Sequence, residues 1–179
     1  MKGPLIVTGC QRSGTAFVTR ALAHDHGLEV LGYRDFIPEE VNMLKLETLL
    51  LHGITKIAIQ MPIALNMFTD LYHTIPDVHF VGVVRDKEDI ISSMMRIKWR
   101  IDDFYHYPDY MSDHVDYMMG LWELLKKILP DSCWTEVKYT DFEDHSLFVP
   151  KEQRKDFTVN QWSPDYPFGP QYYQNAEKF

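Results

Sequence analysis

Short apolar, β-branched runs alternate along this chain with stretches whose apolar residues recur at helical spacing. Leu5-Ile6-Val7-Thr8, after Pro4, reads as a buried parallel strand, and Phe17/Ala21 and Val18/Leu22 place one face of a helix directly behind it. His24-Asp25-His26-Gly27 then supplies a polar helix end and a glycine suited to stopping it. Leu28 to Tyr33 alternates as a second strand, and a helix opened by Pro38-Glu39-Glu40 is predicted through Leu51, with Gly53 closing it. Ile54 to Gln60 is the third strand, stopped by Met61-Pro62, with a helix from about Ala64 to Tyr72 after it. His79 to Val84 is the clearest buried strand; Asp86 and Asp89 start a helix that Ile90, Met94, Ile97 and Ile101 continue. Met118, Leu121, Trp122, Leu125 and Ile128 mark the core face of a helix ending at Pro130, and Cys133 to Phe142 reads as a fifth strand with a turn. Strands alternating with helices predict an α/β fold, a parallel sheet covered on both faces, with the loops at the strand carboxyl ends building one crevice.

Length and composition narrow this picture. The 179 residues suit one domain, 1–179, with an irregular, aromatic and proline-rich tail from about residue 150 draped over the body. No internal repeat or linker breaks the chain. A net charge of −8 argues against a broad nucleic-acid-binding face and leaves room only for a local basic pocket. Cys10 and Cys133 cannot make a disulfide framework, and no leader or membrane-length apolar run stands out, so the expectation is a reduced, cytoplasmic setting without a membrane partner. Asp102 to Pro108 reads either as an aromatic lid that holds an acceptor or as a solvated acidic face with aromatics beneath it. His24 and His26, two apart with no carboxylate or cysteine framework, read as a solvated helix end rather than metal ligands.

Candidate chemistry begins at Gly9-Cys10-Gln11-Arg12-Ser13-Gly14-Thr15, between the first strand and the first helix. A glycine-bounded loop there turns consecutive backbone N–H groups inward and aims the positive end of a helix at one point, the geometry that holds a phosphate or sulfate. A glycine/serine turn that binds nothing is the competing reading. The spacing nearly matches the P-loop G-x-x-x-x-G-K-[ST], but Thr15-Ala16 replaces the Lys-Ser/Thr pair and the cation sits inside the loop, at Arg12. Nothing in the sequence gives Cys10 a base, so it reads as a small loop-filling residue. Arg34 and Asp35 fall at the end of the second predicted strand, facing the crevice or forming a surface turn. Arg85 and Ser93 are eight apart, a strand end and a position two turns into the next helix. They either converge on a phosphate over the helix start, or Arg85 pairs with Asp89 and Ser93 is an ordinary helical serine.

Gln11-Arg12-Ser13-Gly14-Thr15 resembles the 5′-phosphosulfate loop of the sulfotransferases that use 3′-phosphoadenylyl sulfate (PAPS). Arg85 with Ser93 is similar to the family's R-x7-S signature, and Tyr139-Thr140-Asp141-Phe142 resembles its Y-E-D-[LFM] strand end with threonine in place of glutamate. The resemblance implies a three-layer α/β/α, P-loop-containing nucleotide hydrolase-like fold of the sulfotransferase type. It also implies transfer of a sulfuryl group from PAPS to a hydroxyl or amine on a small-molecule or glycan acceptor, leaving PAP, with no metal. Gln11, Arg12, Ser13, Gly14, Thr15 and Ala16 would then hold the phosphosulfate, Arg85 and Ser93 the 3′-phosphate, and Tyr139 the adenine. Arg154-Lys155 would close over the 3′-phosphate, although Asp156 stands where the family has glycine. Gly32-Tyr33-Arg34-Asp35 is similar to a G-x-K-E segment whose acid takes the acceptor proton, which makes Asp35 the candidate base beside a catalytic Arg12, with Glu39 and Glu40 in reserve. Gln60 stands where cytosolic members carry a histidine base, and an amide cannot accept a proton at neutral pH. A non-catalytic PAP/PAPS-binding protein, a nucleotide or small-molecule kinase, and a purely structural α/β module are the other readings.

Overall fold

The computed structural model describes residues 3–31, 46–48, 50–96, 108–150 and 153. Its centre is β1 (Leu5–Thr8), flanked in a five-stranded sheet by β3 (Ile57–Gln60) on one side and β4 (His79–Val84) on the other. β2 (Glu29–Leu31) and β5 (Trp134–Lys138) complete the order β2-β3-β1-β4-β5, and every neighbouring pair is parallel. A parallel sheet needs both faces covered, and the strand residues divide accordingly. Leu5, Val7, Ala58, Val81, Val83 and Val137 pack on one side with Phe17, Val18, Ala21 and Leu22 of α1 (Thr15–His26). Ile6, Ile57, Ile59 and Phe80 point to the other side, into a larger core with α2 (Phe68–Thr74), α3 (Lys87–Arg96) and α4 (Pro108–Ile128). Side chains alternate across a strand, so a four-residue run such as Leu5–Thr8 can be apolar throughout and still feed two cores.

Several elements differ in extent from the pattern-based reading. The third and fifth strands are shorter, because Ile54–Lys56 lies outside the paired register and the chain turns at Tyr139–Asp141. The helix expected over Ala64–Tyr72 is two pieces, a 3₁₀ turn at Pro62–Asn66 and then α2. Met67 breaks it with an extended φ of −139°, its N–H closing the 3₁₀ turn on Ala64. Helix α4 begins at Pro108, where a proline suits a first turn. Residues 46–48, 50 and 51 are helical, and Gly53 ends that stretch through its N–H on the Leu50 carbonyl. Asp86 Oδ1 accepts the Glu88 N–H at 3.0 Å and so caps α3. On the face with the larger core Trp122 of α4 packs in the space beside Gly82 and donates Nε1–H to Glu136 of β5 at 2.8 Å, which also receives Lys126 at 2.8 Å. His24 and His26 are exposed, as expected of a solvated helix end; His26 in addition bonds the Leu147 carbonyl at 2.8 Å, and Asp25 accepts the Val149 N–H, so the end of α1 anchors the segment after β5. Among the described residues no helix is long and apolar enough to cross a membrane.

Candidate anion-binding site

The loop after β1 is shaped by its backbone. Gly9 has φ +141° and passes so close to β4 that a Cβ there would stand 2.5 Å from the Val83 carbonyl oxygen. Ser13 N–H closes a turn on the Cys10 carbonyl at 3.0 Å, and Gly14, at φ +105°, leads into α1, whose N-terminus has no side-chain cap. Arg12 is one of two non-glycine residues with positive φ among the described residues, at +72°. A long side chain in that region is strained, and such strain persists where the surroundings dictate it. Here the dictating contacts are on both sides of the residue: Arg12 Nε donates to Ser93 Oγ at 3.2 Å, and the Arg12 carbonyl receives Arg85 Nη1 at 3.5 Å.

Arg85, Ser93 and Tyr139 therefore meet the loop at one place. Arg85 leaves the end of β4, and Ser93, buried on α3, reaches back to Arg12. Tyr139, just past β5, is held by its N–H on the Val84 carbonyl at 2.9 Å. Its ring lies against Gly14, edge-on to Phe17 at 6.2 Å, with the Arg85 guanidinium 4.9 Å from the ring centre. Arg85 also makes the ion pair with Asp89 named as the competing reading, at 3.4 Å, a long contact to an exposed carboxylate that is worth little in water.

Three further features define what the site can hold. The Ser13 hydroxyl is fully buried inside the loop with no hydrogen-bond partner among the described residues, an arrangement that costs about 1–3 kcal/mol. Gln60, at the carboxyl end of β3, donates its amide to Thr15 Oγ1 at 3.2 Å, tying that strand to the loop. Cys10 is buried, and burial pushes its thiol up to about 12, so it stays protonated and fills space as expected. Among the described residues no group of three or more His, Cys, Asp or Glu could hold a metal ion. Asp35, Arg34, Glu39, Glu40, Arg154, Lys155 and the Asp102–Tyr107 aromatic stretch lie outside the described residues.

One residue at the site was missed by the sequence reading. His114 of α4 is half-buried, and its Nε2 lies 2.7 Å from Oε1 of Gln11 in the loop. Burial lowers the pKa of its imidazole, which keeps the ring neutral at pH 7. The available signal was its place between Met111 and Met118 on the apolar stripe of α4, where a histidine interrupts a run of core residues.

No protein-family model and no curated protein matches the chain. Among solved structures it is similar to a sulfotransferase domain from the curacin biosynthetic pathway, with 12% identity and a TM-score of 0.57 over 80% of this chain and 69% of that one. A sugar kinase from Janibacter sp. aligns at 17% identity and a TM-score of 0.47 over 77% of this chain and 86% of its own. A deoxyadenosine kinase from M. mycoides, solved with dATP, aligns at 12% identity and a TM-score of 0.49 over 78% and 95%. The first of these likenesses shows a shared fold: the chain has the all-parallel, P-loop-like α/β architecture expected from its sequence.

Proposed function

We propose that this protein is a sulfotransferase that takes PAPS as co-substrate, releases PAP and moves the sulfuryl group to a hydroxyl or amine of a small-molecule or glycan acceptor. The observation that supports it most is the meeting of Arg12, Arg85, Ser93 and Tyr139 at the loop, residues from the loop itself, the end of β4, α3 and the end of β5. These residues fit a ligand carrying two separate anionic groups. The buried Ser13 hydroxyl, without a hydrogen-bond partner among the described residues, and the start of α1, which has no side-chain cap among them, offer donors within the loop, and Arg85 with Ser93 offers a second patch of donors beside it. A kinase of this architecture would carry a P-loop lysine, which Thr15 replaces, with Ala16 in place of the Ser/Thr that follows it.

In the transfer, a bond forms from the acceptor oxygen or nitrogen to sulfur as the bond from sulfur to the 5′-phosphate oxygen breaks. Negative charge accumulates on the departing phosphate, so Arg12 and the loop N–H groups of Ser13, Gly14 and Thr15 act most strongly in the transition state. Arg85 and Ser93 select the 3′-phosphate and thereby disfavour ATP. The acceptor proton goes to Asp35. A second reading, a PAP/PAPS-binding protein without catalysis, is favoured by Gln60: its amide is engaged by Thr15 at the position where a histidine base would serve. Calorimetry with PAP, ADP, ATP and inorganic sulfate tests the cofactor class without knowledge of the acceptor. Tighter binding of PAP than of ADP or ATP is the expected result, and equal binding of all three nucleotides refutes it. Sulfate transfer from labelled PAPS to a panel of hydroxyl and amine acceptors separates the two readings.

A further inference from the structure

Helix α4 presents Met111, Val115, Met118, Trp122 and Leu125 to the core, and His114 lies on the same side, at the end nearest the anion loop. Contacts to two other elements hold this part of the helix in place. Tyr117 donates to Asn66 Oδ1 of the 3₁₀ turn at 2.9 Å, and Asp116 accepts Lys87 of α3 at 2.6 Å. These contacts fix the stretch of α4 that carries His114 beside the loop. Gln11 in turn makes no hydrogen bond among the described residues other than the one at 2.7 Å to His114.

The chemistry of the pair decides which way the Gln11 amide faces. An imidazole carrying hydrogen on Nε2 donates it to the amide oxygen, which leaves the NH₂ end with two donors for another acceptor. The reverse arrangement would present the amide oxygen outward, beside the backbone donors and Arg12 that gather an anion, and oxygen would then face oxygen. A bound oxyanion therefore selects the first arrangement, and His114 makes it available in advance.

On the strength of this geometry, and resting on the anion-site reading above, we propose that His114 is a positioning residue that orients the Gln11 amide as a side-chain donor to the tetrahedral oxyanion held by the loop. It acts through Gln11, so the two residues form one unit. Removing either should remove the same interaction, and removing both should cost no more than removing one.

The test is calorimetric binding of inorganic pyrophosphate and of PAP to the wild-type chain, His114→Phe, Gln11→Ala and the double variant, with the thermal midpoint of each recorded. Each single change is expected to weaken both ligands about tenfold, with the double variant no weaker than either single one. His114→Gln, which restores a donor of different shape, should recover most of the loss, a rescue that a role in packing alone would not give. Wild-type affinity in His114→Phe, or losses that multiply in the double variant, overturns the proposal. The two readings fail separately. A wild-type chain that binds pyrophosphate but prefers PAP to no other nucleotide refutes the PAPS reading, while the His114–Gln11 cycle is still decided on pyrophosphate. Absence of pyrophosphate and PAP binding refutes both.

Discussion

Replacing Gly14 by alanine tests the centre of the site, because two separable costs fall on one methyl group. The first is conformational: φ of +105° is a region that residues with a Cβ rarely adopt, at about 2 kcal/mol. The second is steric, since a Cβ built there overlaps Cδ2 and Cε2 of Tyr139 and lies 3.1 Å from Cγ of the same ring. Overpacking of that kind costs about 2 kcal/mol, as the ring is confined by Phe17 on its edge and by Arg85 over its face. Gly14→Ala should therefore destabilise the wild-type chain by about 4 kcal/mol, a fall of about 2 M in urea midpoint for a domain of this size. In a Tyr139→Ala background the ring is gone and only the conformational cost is left. There the same substitution should cost about 2 kcal/mol, so the double-mutant cycle yields a coupling of about 2 kcal/mol. Equal destabilisation in the two backgrounds would show that the tyrosine ring is not seated on the loop, and the convergence of Tyr139 with Arg12 and Arg85 would fall with it.

Arg12→Ala should lower sulfuryl-transfer turnover by about 10²–10³-fold while Arg85→Ala chiefly raises the PAPS concentration required; small and equal effects in a steady-state assay contradict the separate roles. Iodoacetamide at pH 8 should label half-buried Cys133 and spare Cys10, whose thiol is pushed up to about 12 by burial, and peptide masses showing equal labelling would refute the closed loop. Burial lowers the pKa of both His79 and His114 from the ordinary 6.5, so the unfolded chain binds protons first as pH falls. Their contribution is complete above about pH 6.5 and is lost as pH drops through their lower folded values. The urea midpoint should accordingly decline from pH 7.5 to 5.5, more weakly in a His79→Gln, His114→Phe double variant, and an unchanged slope in that variant would show that these rings do not carry the effect.

Much of the scaffold was legible because it rests on local rules. Leu5–Thr8 and His79–Val84 are apolar on both faces, which only a sheet covered on both sides can use, and both are adjacent in the parallel sheet. Gly27 and Gly53 end helical stretches where expected. The break at Met67 was not legible, because the apolar spacing across Ala64, Leu65, Phe68 and Leu71 suits one helix or two, and their burial against the sheet decides between them. Arg85 also escaped a simple reading: spacing alone cannot say that one guanidinium shares Asp89, the Arg12 carbonyl and the Tyr139 ring. His114 was read past because a histidine 103 positions from Gln11 carries no sign of that contact.

The sequence by itself determined the loop: two glycines bounding it, an arginine within it, a strand before and a helix after, all set by the backbone preferences and hydrophobic period of neighbouring residues. Only the tertiary structure decided what surrounds it. Arg12 and Ser93 are 81 residues apart, and they meet because β4 pairs beside β1 in register and carries α3 back across the carboxyl edge of the sheet. Side chains distant in sequence share a site through strand order and helix packing, and those are properties of the whole core rather than of any segment within it.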